Sequence, residues 1–172
     1  MAKKLIDLRD SIVEGRYDDA LEIVYDLEST IKEDKINKIQ SYLVRMMINL
    51  IKNQIELRLT NFWVASISDS LLQIKRANFK DNKTSYYVKL DEWEPMLAEA
   101  LEAAIRPASV EVLGGKLRPA QLSGMIKRIE IVKTGERLLT LTYEHSPLTL
   151  PDIIDTYLAE LPGGEGWLLG KE

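Results

Sequence analysis

Cysteine is absent from this chain of 172 residues, histidine occurs once and phenylalanine twice. Without cysteine there are no disulfides, thiolate metal sites, iron–sulfur clusters or cysteine nucleophiles, and a reducing, cytoplasmic location is expected. The one histidine, His145, lies in a Glu144-His145-Ser146-Pro147 stretch. A lone imidazole with no thiol cannot assemble the usual zinc or Cys–His centres. Ser146, its neighbour in sequence, is poorly placed for a Ser–His pair. Long apolar runs are missing too: Tyr42 to Ile51 is interrupted by Arg45 and Asn49 and is far short of a bilayer span. The start, Met1-Ala2-Lys3-Lys4-Leu5-Ile6-Asp7, puts charge where a secretory leader needs apolar residues. A soluble chain without leader or membrane contact is expected. Positive charge is not in excess either. A formal net charge of -4 and a pI near 5.2 remove the global attraction that phosphate backbones reward.

What is present is ordinary for a globular protein: 45% hydrophobic and 29% charged residues, in a length that suits one domain. Leu5, Leu8 and Ile12 share one helical face, and Gly15 follows as a stop. Tyr17-Asp18-Asp19-Ala20 opens a second helix carrying Leu21, Val24, Leu27 and Ile31, with its acidic pair in the first turn, where the helix dipole favours it. The two segments predict a helical hairpin. Residues 15 to 21 are similar to the turn of a tetratricopeptide repeat, but no second copy occurs at that period, which excludes a solenoid.

The strongest element spans about Asp34 to Leu59. Ile36, Ile39, Leu43, Met46, Leu50 and Leu57 form one stripe, flanked by Met47, Ile51 and Ile55. So wide an apolar face belongs to a central helix packed on several sides. Opposite runs a polar stripe of Arg45, Asn49, Lys52, Asn53 and Glu56. Thr60 or Asn61 can cap the next helix, with Trp63, Ile67, Leu71 and Ile74. A polar loop from Asn78 to Ser85 reads as a mobile surface segment. Asp91 opens a further helix whose buried side is Met96, Leu97, Ala100, Leu101 and Ala104, and Pro107 predicts that it bends or stops near Ile105. Pro119 begins a helical pattern through Leu122, Met125, Ile126, Ile129 and Val132. Yet residues 129–131 and 139–143 also alternate about Thr134-Gly135, a competing hairpin signal. A short helix follows to about Leu161, then Pro162-Gly163-Gly164 breaks it before the apolar Trp167-Leu168-Leu169. The expected fold is an all-α, single-domain bundle around a long central helix, with the domain at 1–161 and a C-terminal tail at 162–172 that docks or frays. The alternative adds a small β-hairpin at 129–143.

Through Leu50-Ile51-Lys52, Gln54, Glu56, Arg58, Thr60, Trp63, Ser66 and Ile67, the chain resembles the bacterial family catalogued as domain of unknown function 29. Gly15-Arg16-Tyr17, Ala20-Leu21, Tyr86-Tyr87 and Pro147-Leu148-Thr149-Leu150 add to the match. The resemblance is specific from about residue 15 to 90. It implies a compact, essentially all-helical protein with no settled activity, and it tips residues 119 to 141 toward helix. Asn49 and Phe62 stand where that family often shows histidine and serine.

The carboxylate pairs Asp18/Asp19, Glu92/Glu94 and Asp152/Asp155 could in principle assemble a magnesium-dependent hydrolase, but helices carry acids at such spacing as caps and solvated faces. Gly114-Gly115-Lys116 and Pro162-Gly163-Gly164 lack the spacing of a phosphate-cradling loop. No catalytic residue, metal ligand set or cofactor is predicted. Two surfaces remain as candidates. Arg45, Asn49, Lys52, Asn53 and Glu56, with Arg58 set against Trp63, read as a partner groove or as an ordinary hydrogen-bonded helix face. Lys75, Arg76, Lys80 and Lys83, near Phe79, Tyr86 and Tyr87, form the mixture single-stranded nucleic acid favours. The leading expectation is a non-enzymatic helical protein-interaction or regulatory module, with a protein partner or a homo-oligomer. A nucleic-acid-binding regulator of a small operon pair is the alternative, and a carboxylate-based hydrolase ranks third.

Overall fold

Apolar side chains recur every three or four residues from Ile39 to Ile51, and helical geometry gathers them on one broad face. In the computed structural model, which describes residues 1–81 and 84–171, Ile39, Leu43, Met46, Met47, Leu50 and Ile51 are all buried. They belong to α2, Tyr17–Glu56, which follows α1, Ala2–Val13. Then come α3 (Asn61–Asn78), α4 (Trp93–Glu111), α5 (Pro119–Met125), α6 (Arg128–Glu144), α7 (Leu150–Leu158) and α8 (Gly164–Leu168). The fold is all-α and built about the long α2. Among the described residues the only β-type pairing is an isolated bridge between Phe79 and Tyr86. The chain forms two compact units, Met1–Asn37 and Lys38–Glu172, with the boundary inside α2.

Several elements differ from the sequence reading, each for a local reason. The helices expected at 17–31 and 34–59 are one, because no glycine or proline interrupts the stretch between them. That helix stops at Glu56. Leu57 leaves the apolar stripe, adopting a left-handed φ of 55° and lying exposed, while its amide still donates to the Asn53 carbonyl at 2.9 Å. Pro107 does not end α4, which continues to Glu111. Its ring lies on the solvent side, and so does Ala103, four residues earlier, whose carbonyl loses its helical donor there. Residues 129–143 are helical, so the hairpin alternative fails. Gly135, which read as part of a turn, is a packing residue: a Cβ there would sit 3.0 Å from Leu97 Cδ2 and 3.1 Å from Met47 Cε. The missing side chain lets α6 approach closely. The pattern expected to run on from Pro119 is broken into α5 and α6 at Ile126-Lys127, where Gln54 supplies the acceptor that the Lys127 amide lacks, while the Lys127 carbonyl keeps its helical bond from the Ile131 amide at 3.2 Å. The Gln54 side-chain amide donates to the Lys127 carbonyl at 3.3 Å and accepts from the Lys127 amide at 2.8 Å.

Within residues 38–171, α4 packs on α5 and α6, α3 on α6 and α7, and α6 on α7. The loop between α3 and α4 is tied to this core by a polar knot. Tyr143 Oη donates to the Val88 carbonyl at 2.6 Å, and receives Trp93 Nε1 at 2.8 Å and Asn78 Nδ2 at 3.0 Å. Asn78 also takes the Val88 amide at 2.7 Å. Burial pushes the Tyr143 phenol up from its ordinary range, so it remains a donor at neutral pH. The segment read as mobile from Asn78 to Ser85 therefore starts from an anchored residue. Beside the Phe79–Tyr86 bridge, the Lys80 amide reaches the Ser85 carbonyl at 3.0 Å; Asn82 and Lys83 lie outside the described residues.

Candidate functional site

The polar stripe of α2 is brought together as expected, but it faces other parts of the protein. Arg45 Nη1 reaches Asp69 Oδ2 on α3 at 2.8 Å and stays half exposed. One turn on, the buried Asn49 donates to Ser66 Oγ at 2.9 Å and to the Arg45 carbonyl at 3.0 Å. Asn53, also buried, donates to the Arg58 carbonyl at 3.0 Å and to the Pro162 carbonyl at 2.7 Å. Lys52 runs its stem through the interior, with its ammonium 3.5 Å from Glu111 Oε2 and 5.1 Å from the centre of the Trp63 ring. Arg58 lies over the same ring at 4.8 Å and pairs with Glu56 at 3.0 Å. Trp63 itself is buried, and its amide is capped by Thr60 Oγ1 at 3.1 Å.

Chemically this is a seam. Spacings of three and four on α2 aim Asn49, Lys52 and Asn53 at α3, α4 and the tail in turn. Each amide is committed to a partner whose loss would leave a buried polar group unsatisfied. The tail, expected either to dock or to fray, is held here at its start: a Cβ on Gly163 would lie 2.3 Å from Arg58 Cα, so only glycine fits against the α2–α3 turn. A cleft of about 180 Å³ opens beside it, lined in part by Asn53, Gln54, Thr134 and Pro162. Sites for drug-sized ligands usually measure about 300–1,000 Å³, and both amides lining this one are already bonded.

The basic cluster is divided. Lys75 Nζ donates to the Thr142 carbonyl at 2.5 Å in the last turn of α6, where a cation complements the helix dipole, and burial lowers its pKa. Lys80 lies 5.4 Å from the Tyr87 ring, Arg76 is exposed, and Lys83 falls outside the described residues. The nearby aromatics are also engaged: Phe79 meets Tyr86 at 5.2 Å, and Tyr86 meets Tyr143 edge-on at 4.6 Å. Among the described residues no group of three or more histidine, aspartate or glutamate side chains is placed to share a metal ion. None of the described helices is long and apolar enough to cross a membrane.

A surface outside both candidate sets is the least covered part of the molecule. In the unit Met1–Asn37 the buried residues are Ser11 and Ala20. Leu5, Ile6, Ile12, Val13, Tyr17, Leu21 and Tyr25 are between 51% and 79% exposed. Helical spacing puts Leu5 and Ile12 of α1 beside Tyr17, Leu21 and Val24 of α2 on one side of the hairpin. The other side is an acidic cleft lined by Asp7, Asp10, Glu14, Asp19 and Glu22, with Arg16 among them. Arg16 clips the turn, 3.0 Å from Asp19 and 2.8 Å from Glu14, and these two carboxylates raise its pKa. Periodicity alone predicts the hairpin and its apolar stripe, but an amphipathic pattern does not say whether the chain itself supplies the cover. No protein-family model, no curated protein and no solved structure matches this chain.

Proposed function

We propose that the chain is a non-enzymatic, cytoplasmic protein-interaction module that docks a helix of another protein on the apolar side of its N-terminal hairpin. One observation carries this reading: Leu5, Ile12, Tyr17 and Leu21 remain more than half exposed on adjacent helices. Contiguous apolar surface of this kind marks contact sites in soluble proteins. Covering the exposed half of each leucine or isoleucine contributes about 1 kcal/mol, enough in sum to hold a helix in place. Residues 38–171 then serve as the folded body that presents the hairpin, with the α2 polar stripe as its internal stitching.

The test is affinity capture from the host with the full chain and with a Leu5→Asp/Leu21→Asp variant, matched for helicity by circular dichroism. A protein recovered in stoichiometric amount by the wild type and lost by the variant is the expected result. Identical captures by both would refute the reading.

A further inference from the structure

The charge of this chain is distributed unevenly, and the distribution selects the chemistry of the partner. Residues 1–37 hold ten acidic and six basic side chains, whereas the remaining residues hold seventeen of each. The whole formal charge of -4 therefore resides in the N-terminal hairpin. It is concentrated at the turn, where Asp10, Glu14, Asp18, Asp19 and Glu22 are opposed by Arg9, paired with Asp10, and by Arg16, paired with Glu14 and Asp19. Asp18 and Glu22 are the two at hand for an incoming chain, since Glu14 and Asp19 are spent on Arg16 and Asp10 on Arg9.

A second copy is a poor occupant on these grounds. It brings either the same -4 unit, stacking like charges, or a body with no net charge to neutralise it. Nucleic acid and anionic lipid carry the same sign as the hairpin. A helix with leucine-like residues on one side and lysine or arginine beside them satisfies both features: the apolar side covers Leu5, Ile12 and Leu21, and its cations complement the net charge of -4 on residues 1–37, an attraction that reaches about one Debye length, roughly 8–10 Å. We infer that the partner of this module is a basic amphipathic helix, held by the apolar side of the α1–α2 hairpin and selected by the acidic turn. The inference rests on the docking role proposed above and adds the sign of the partner.

The experiment is fluorescence anisotropy of the full chain with two synthetic amphipathic helices of equal length and identical leucine faces, one with lysine on its polar face and one with glutamate. The lysine helix should bind at least about tenfold more tightly at low salt and weaken as salt is raised, since charge complementarity governs selectivity and encounter. Asp18→Asn/Glu22→Gln should flatten that salt dependence, and Leu5→Asp/Leu21→Asp should abolish binding. Equal binding of the two helices, or binding of neither, overturns the basic partner while leaving host capture to judge the docking role. Binding of the lysine helix unchanged by Leu5→Asp/Leu21→Asp also overturns it, because charge alone would then be responsible. Light scattering that gives a dimer, dissociated by the same apolar-face variant, overturns it in favour of a second copy.

Discussion

Residues 1–37 and residues 38–171 use the same material, amphipathic helices with leucine and isoleucine at spacings of three and four, and reach opposite outcomes. In the larger unit the stripes close on one another, and Ile39, Leu43, Ile67, Leu97, Leu138 and Ile154 are fully buried. In the hairpin the stripes are equally regular, yet Leu5, Ile12 and Leu21 keep about half their surface in water. The difference lies in the number of layers. A helix face needs cover on the order of another helix or more; α3 to α7 supply it for the second half of α2, whereas the unit Met1–Asn37 contains only α1 and the first half of α2 to close on each other. Periodicity therefore reports which face is apolar, and only the count of neighbouring elements reports whether that face is satisfied.

The largest expected effect that sharpens the contrast is in the body. Leu43→Ala should destabilise the protein by about 2–5 kcal/mol, read from denaturant midpoints, because it opens a cavity under a fully buried side chain. The equivalent change in the hairpin, Leu21→Ala, should stay within about 0.5 kcal/mol, as surface substitutions do. Similar losses at the two positions would erase the distinction between the units.

Next in size are the polar ties. Asn53→Leu should cost about 1–3 kcal/mol, since the Arg58 and Pro162 carbonyls lose their common donor. Gly163→Ala should loosen the same junction, its Cβ being driven into the Arg58 backbone. Unchanged melting temperatures for both would show that the tail is not held there.

The smallest effect is electrostatic. Burial first, and Asp152 second, raise the Asp155 pKa above the usual 3.8. A raised carboxyl pKa means that the native state favours the protonated form, so charging Asp155 lowers stability as pH rises through its folded value. Asp155→Asn should therefore raise the melting temperature slightly at pH 7. The gain should vanish as the pH falls below 3.8, where the wild-type carboxyl is protonated whether folded or not. An Asn variant less stable than wild type at neutral pH would contradict that sign.

Much of the architecture is legible in the residues. The all-α class, the hairpin at Gly15, the buried face of α2 and the Thr60 cap all follow from spacing and capping chemistry, whereas the helix expected to open at Asp91 starts at Trp93, after a single 3-10 turn at Leu90–Glu92. What spacing cannot reveal is tertiary. Gly135 looks like a turn until α6 is seen against Leu97 and Met47, and Pro107 looks like a stop until its ring is seen facing solvent. Leu57 carries the period of the apolar stripe but occupies the position where α2 must reverse, in a conformation that costs on the order of 1–3 kcal/mol and is held by the Asn53 bond to Arg58 and the close approach of Gly163. The polar stripe was visible as a set of residues, whereas its partners, Ser66, Glu111 and Pro162, lie 17 to 109 positions away in sequence from the residues they bond. The exposed hairpin surface, the basis of the proposed role, could be drawn on a helical wheel but not told apart from a buried one.

Native-state hydrogen exchange along α2 tests the central claim most directly, because one helix passes through both units. Amides from Asp26 to Ile36 should open with free energies well below the global value, while those from Leu43 to Ile51 should exchange only on global unfolding. Uniform protection along the whole helix in the isolated chain would contradict the account, since it would mean that the N-terminal hairpin needs no partner to be complete.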